Sequence, residues 1–149
     1  MLSRRNFLAS LAATPLIFGV TTPALAGEPE VYAINGIAIN GYDPIAYFTQ
    51  DGPVEGAADH TSVYKGATWQ FSSADNKALF DGDPVKYAPQ YGGYCAYAVS
   101  KGYTATTAPN AWAVEDGKLY LNYSRAVRVL WRRDIPGHIK SANANWPKV

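Results

Sequence analysis

The chain has few side chains that could hold a soft metal ion: one cysteine, Cys95, and two histidines, His60 and His138. A closed soft-metal site needs three or four cysteine or histidine ligands, so all three residues would have to converge on one ion. No two of them have the sequence spacing of a ligand pair. Cys95, His138 and His60 are therefore candidate metal ligands, and the alternative is that both histidines are ordinary surface or helix-capping residues.

Cys95 lies within YGGYCAYAVSKGY (residues 91–103), a stretch rich in tyrosine and glycine. Free cysteine most often packs as a small apolar residue, so we favour a packing role and keep metal ligation and a redox or nucleophilic role as alternatives. The tyrosines also have two interpretations, a tightly packed turn at the centre of the domain or an aromatic pocket. The candidate pocket residues are Tyr91, Tyr94, Cys95, Tyr97 and Trp112.

Catalytic motifs are missing from the sequence. It contains no Gly-x-Ser-x-Gly nucleophile motif and no phosphate-binding glycine loop. Asp43 is not taken as a site residue, because an aspartate before a proline, here Pro44, usually serves a turn. Cys95 with His138 or His60 could form a thiolate pair, and the paired carboxylates Asp81 and Asp83 lie beside a helix start, where capping explains them. We therefore assign no catalytic residue and expect a protein without enzymatic activity, with a thiol-dependent redox protein or enzyme as the alternative.

The N-terminus has the composition of an export signal. Two arginines in SRRNFLA (residues 3–9) precede a short apolar run, and ALA (residues 24–26) supplies small residues for cleavage. This pattern predicts a twin-arginine signal over residues 1–26, cleaved near Ala26–Gly27, and an ordinary secretion signal is the alternative. The expected location is the periplasm, the expected partner is the twin-arginine export machinery, and no membrane anchor is expected after cleavage.

The net charge argues against a nucleic-acid-binding protein, and the cysteine count excludes a disulfide-stabilised domain. Without Arg4 and Arg5 the net charge falls from +1 to −1, which argues against a nucleic-acid partner because such proteins need a concentrated basic surface. A single cysteine also excludes a disulfide within the chain.

Turn signals indicate two β-hairpins, over residues 61–71 around Lys65–Gly66 and over residues 111–123 around Asp116–Gly117. Residues 45–48 are predicted to form a short strand, and residues 50–59 a loop.

Capping residues indicate short helices. The first is capped by Ser72 or Ser73, with Ala74, Ala78, Leu79 and Phe80 toward the core. Further helices follow Asp83 and Ser124, and a last one runs from Pro136 to near Asn145. Arg125, Arg128 and Arg132 share one helix face, which is either solvated or a basic patch for a partner. These elements predict a small single α+β domain of β-hairpins with short helices.

Two motifs, GYDPIAYF (residues 41–48) and PQYGGYCAYAVS (residues 89–100), resemble the YHS domain family and, within it, an exported branch with twin-arginine signals. The resemblance implies a YHS-like domain over residues 27–149. Matching scaffold positions are Tyr64, Gly66, Phe71, Phe80, Asp83, Pro84 and Tyr87.

The family includes small metal-handling domains with three cysteine ligands and one histidine ligand. This chain has Ala46, Ser72 and Asn76 at the cysteine positions and Ser62 near the histidine position. The resemblance therefore supports the fold and not a thiolate metal site. Together with the export signal and the missing catalytic groups, the expected fold favours a periplasmic binding or accessory protein, for a copper ion or a small ligand, with or without a cofactor.

Overall fold

The computed structural model describes residues 27–149, so the predicted signal sequence over residues 1–26 lies outside the described residues. Strands alternate with short helices along the chain. The strands are β1 (Ala33–Ile34), β2 (Ile37–Ala38), β3 (Ala57–Tyr64), β4 (Ala67–Phe71), β5 (Trp112–Glu115) and β6 (Lys118–Leu121). The α-helices are α1 (Ala46–Thr49), α2 (Ala74–Gly82), α3 (Pro84–Tyr87), α4 (Ala96–Ser100), α5 (Arg125–Arg132) and α6 (Ile135–Asn145), with 3-10 turns at Ile39–Gly41 and Gln90–Gly93. The predicted α+β class is confirmed.

The first sheet has the strand order β1-β2-β4-β3, in which β2 and β4 run parallel and the other pairs run antiparallel. Its β3–β4 hairpin turns at Lys65–Gly66, where both residues have positive φ, as the sequence predicts. Strand β3 begins at Ala57, inside the predicted loop, because Ala57 pairs with Phe71 beyond an irregularity in the register. The prediction of a loop is therefore wrong for residues 57–59.

The segment after Pro44 is a helical turn, α1, and the prediction of a strand for residues 45–48 is wrong. Asp43 Oδ1 accepts a hydrogen bond from the Ile45 N–H at 2.9 Å, which starts a turn two residues after the aspartate. The Phe48 and Thr49 amides then donate to the Ile45 carbonyl. A local side-chain contact thus directs this apolar run into a helix.

Helix α2 begins at the Ser73 cap, whose hydroxyl accepts from the Asn76 N–H. The cap is confirmed, but the predicted buried face is wrong except at Phe80. Ala74, Ala78 and Leu79 are exposed, whereas Asn76 is buried. The helix turns this polar residue inward because Asn76 has a hydrogen-bond partner in the interior.

The second sheet is the β5–β6 hairpin, which turns at Asp116–Gly117 as predicted. Trp112 pairs with Leu121 and Val114 with Leu119, so these residues share a face. The other face is also covered, since Ala113 and its partner Tyr120 are buried. A hairpin that is buried on both faces lies at the centre of its half of the domain.

The last two helices close this half of the molecule. Ser124 caps α5, with Trp131 fully buried, and Asp134 caps α6. The expectation of a solvated arginine face does not hold for Arg128, because its guanidinium donates to the backbone carbonyls of Asn110 and Trp112. Asn145 on α6 donates to the Val99 carbonyl of α4 at 2.8 Å, which joins the two helices. Within residues 27–149, no helix is long and apolar enough to cross a membrane.

Candidate functional site

A carboxylate, Asp43, forms the most highly connected polar centre in the interior. It is fully buried. Oδ2 accepts from the Ser72 N–H (2.8 Å), the Ser72 hydroxyl (2.7 Å) and the Asn76 side-chain amide (2.7 Å). With the Ile45 N–H on Oδ1, four donors surround this carboxylate. Neither ion pair of the described residues, Lys65–Glu30 or Lys77–Asp81, involves it, so hydrogen bonds compensate the loss of its hydration.

Ser72 and Asn76 are the two positions at which the family resemblance predicts cysteine ligands on the opening of a helix. Their spacing of four residues places both side chains on one face of the chain, toward Asp43. The third position, Ala46, is fully buried and has only a methyl group. Ser62, near the expected histidine, donates to Asp81 instead. The thiolate or imidazole ligands that a thiophilic ion would need are missing here, and the polar groups present already hydrogen-bond to one another. These residues therefore do not fit a copper or zinc ion.

The predicted ligands Cys95, His138 and His60 do not come together as a metal site either. In the described part of the chain, no group of three or more His, Cys, Asp or Glu side chains is arranged to hold an ion. His60 lies on β3. His138 lies on α6, where its ring packs on Tyr97 at 5.2 Å between centroids and its Nδ1 shares a hydrogen bond with Ser100 Oγ at 3.2 Å. The contacts of His138 thus join α6 to α4.

Cys95 is 1% exposed and directly precedes α4. Its thiol donates to Asn122 Oδ1 at 3.6 Å, and Sγ accepts from the Tyr123 N–H at 3.2 Å. Burial raises the pKa of the Cys95 thiol, although nearby backbone N–H groups oppose the shift. The same residue contributes to the wall of an apolar cavity of about 250 Å³. These surroundings are those of a packed thiol and not of an activated thiolate.

We expect native Cys95 to react slowly with iodoacetamide at neutral pH. Because the pKa of Cys95 is raised, a smaller fraction of it is thiolate at neutral pH than for an exposed thiol. The alkylation rate should therefore rise only at higher pH than for an exposed thiol. The rate should be roughly tenfold or more below that of the same chain in denaturant. The measurement is mass spectrometry of the alkylated fraction over time. Native alkylation as fast as that of the unfolded chain would favour a reactive thiol.

The predicted pocket residues lie in three places. Tyr91 and Tyr94 both pack against Trp146, at 6.2 and 5.9 Å between ring centroids. Tyr97 packs on His138, and Trp112 packs on Tyr47 at 5.6 Å. Cys95 and Tyr97 share the small apolar cavity, whereas Tyr91 lines a different one.

That second cavity, which we call the aromatic cavity, has a volume of about 350 Å³. Its aromatic walls are Tyr64, Trp69, Tyr91 and Trp146, and its polar lining consists of Glu30, Lys65, Gln90 and Asn143. The hairpin turn between β3 and β4, the 3-10 turn at Gln90–Gly93 and the end of α6 bring these side chains together. Its volume lies at the lower end of the range of small-molecule sites.

One wall of the aromatic cavity depends on the N-terminal segment, residues 28–32. The Tyr32 N–H donates to the Gly92 carbonyl at 2.9 Å, and the Tyr94 hydroxyl donates to the Pro29 carbonyl at 2.8 Å. Gly92 has a φ of +63°, and a Cβ there would lie 1.8 Å from the Glu30 carbonyl oxygen. Glycine therefore allows the close approach that brings Glu30 to the cavity.

Sequence reasoning named Tyr91 among the site residues and missed Lys65, Glu30 and Trp146, which lie far apart in sequence. The sequence also predicted that Asp43 serves a turn. Oδ1 does so by accepting from the Ile45 N–H, but the prediction missed that Oδ2 binds Ser72. The sequence carried no local signal for the cavity residues. For the partners of Asp43 it did, in the small polar residues Ser72 and Asn76 at a spacing of four.

The chain was compared with family models, curated proteins and solved structures. Neither the curated proteins nor the solved structures gave a match. A family model does match, over a segment that starts at the helical turn next to Asp43 and ends at Tyr91 in the wall of the aromatic cavity. Residues 45–91 of this chain match the YHS domain model, so this segment is similar to YHS domains.

Proposed function

We propose that this chain is an exported periplasmic protein without enzymatic activity, in which a YHS-like domain over residues 27–149 binds a small ligand. The observation that carries the proposal is the closed hydrogen-bond network of Asp43 with Ser72 and Asn76. This network uses the positions at which metal-handling relatives would have thiolates. Binding of a soft metal ion there would require breaking it, so a small molecule is the better candidate for the ligand.

The site of ligand binding in this proposal is the aromatic cavity. It is larger than the apolar cavity beside Cys95, and it combines ring surfaces with an ion pair at its edge. Part of its wall comes from residues 64–91 of the segment that matches the YHS model. The aromatic rings would supply affinity for the ligand, and the polar groups would fix its orientation.

Export is proposed from the sequence, on the paired Arg4–Arg5, the apolar run and the ALA cleavage signal. The twin-arginine machinery would then be the partner during export. The alternative function, a redox protein or enzyme that uses Cys95, has less support because the thiol is buried and its pKa is raised.

Native mass spectrometry of protein purified from the periplasmic fraction tests the proposal. We expect a chain that begins near Gly27 and carries a noncovalent small molecule, which is lost on denaturation. Elemental analysis of the same sample should find no stoichiometric copper or zinc. A stoichiometric thiophilic ion, or a chain with neither ligand nor metal, would contradict small-ligand binding. Protein confined to the cytoplasm with residues 1–26 intact would contradict export.

A further inference from the structure

The aromatic cavity has two opposite charges at one edge. Lys65 Nζ lies 3.0 Å from Glu30 Oε1, and both side chains are about half exposed. Among the described residues, these two are the only charged groups in the cavity wall. A ligand with a single charge would be attracted by one of them and repelled by the other. A ligand with both charges finds a partner for each.

The ion pair has unused hydrogen-bonding capacity. A lysine ammonium has three donors, and the contact with Glu30 uses one of them. Glu30 uses Oε1 in this contact, which leaves Oε2 as an acceptor. An ammonium group and a carboxylate on one ligand can therefore join the pair without breaking it, and the four charges would alternate in sign.

The rest of the cavity favours an apolar group on the same ligand. Tyr64 and Trp146 are half-buried, and Trp69 and Tyr91, which also line the cavity, are buried. The Tyr91 hydroxyl is held by Asn143 Oδ1 at 3.0 Å, and the Trp69 indole N–H by the Tyr64 carbonyl at 3.0 Å. Since both polar groups are satisfied by the protein, these rings offer mainly apolar surface to a ligand.

From these contacts we propose that the aromatic cavity binds a free α-amino acid with an apolar side chain, whose carboxylate pairs with Lys65 and whose ammonium pairs with Glu30. The side chain lies between Tyr64 and Trp146. This inference rests on the proposed function, since it names the class of the small ligand. It differs from a site for a cation alone, because Lys65 lies over the Tyr64 ring at 5.6 Å from its centroid and would repel such a cation.

Isothermal titration with L-phenylalanine tests this ligand class. We expect saturable binding to one site, and binding at least about tenfold weaker for phenethylamine and for 3-phenylpropionate, which each keep the ring and one charge. Shifts of the Trp146 indole N–H and the Gly92 amide in NMR spectra should accompany binding. No heat from L-phenylalanine, equal binding of either analogue, or shifts confined to other parts of the chain would overturn the proposal.

Matched variants locate the charges. Lys65→Gln and Glu30→Gln should each weaken L-phenylalanine binding at least about tenfold, whereas Lys118→Gln and Asp59→Asn change exposed charges outside the cavity and should have no effect. An exposed ion pair contributes little to stability, so all four variants are expected to fold. Equal loss in the variants and their controls would overturn the assignment. A bound small molecule in native protein, together with no phenylalanine binding, would overturn this ligand class and leave the proposed function standing.

Discussion

Replacing Asp43 by alanine is expected to lower the free energy of unfolding by about 4 kcal/mol. The substitution leaves the Ser72 N–H, the Ser72 hydroxyl, the Asn76 amide and the Ile45 N–H without their acceptor in the interior. Each orphaned donor costs roughly 1–3 kcal/mol, and partial rearrangement keeps the total below their sum. Urea unfolding followed by circular dichroism measures the change.

Two further variants separate this network from a general effect of charge. Asp43→Asn keeps one oxygen for the donors and should lose less, about 2 kcal/mol. Asp59→Ala removes an exposed carboxylate on β3 and should change stability by less than about 0.5 kcal/mol. If Asp43→Ala unfolded at the same urea concentration as Asp59→Ala, Asp43 would not organise this part of the fold.

Replacing Gly92 by alanine is expected to cost about 3 kcal/mol. A Cβ at this position would lie 1.8 Å from the Glu30 carbonyl oxygen, and the φ of +63° is unfavourable for alanine. The N-terminal segment, residues 28–32, would have to move away, with loss of the hydrogen bond from the Tyr32 N–H to the Gly92 carbonyl. Urea unfolding gives the energy, and hydrogen exchange of the Tyr32 amide reports the local displacement.

Gly117→Ala is the matched control for this variant. Gly117 has a similar φ of +72°, but a Cβ there has no neighbour within 4 Å. It should therefore show the backbone cost alone, about 1 kcal/mol, with unchanged exchange at Tyr32. Equal losses in the two alanine variants would mean that contact between Gly92 and residues 28–32 does not contribute to stability.

Local signals in the sequence predicted much of the fold. The turns at Lys65–Gly66 and Asp116–Gly117 depend on residues that tolerate positive φ, and the caps at Ser73 and Ser124 depend on a hydroxyl next to free N–H groups. Such features involve residues within about four positions of each other, so the sequence displays them directly.

Two of the failed predictions trace to one buried side chain, Asp43, which makes one local and one distant contact. Periodicity alone favoured Leu79 over Asn76 for the buried face of α2, but Asp43 from another part of the chain gives Asn76 an interior partner. The strand predicted for residues 45–48 became helical through the same carboxylate. The hydrogen bonds of Asp43 thus overrode both local preferences.

The sequence by itself determined which side chains are present for a site. It has one thiol and many aromatic residues, and it has no ligands for a soft metal ion at Ala46, Ser72 and Asn76. Only the tertiary structure decided which aromatic residues share a cavity and that Lys65 and Glu30 meet at its edge. The physical reason is that this cavity is built from chain segments near residues 30, 65, 91 and 146, which come together only when the whole domain packs.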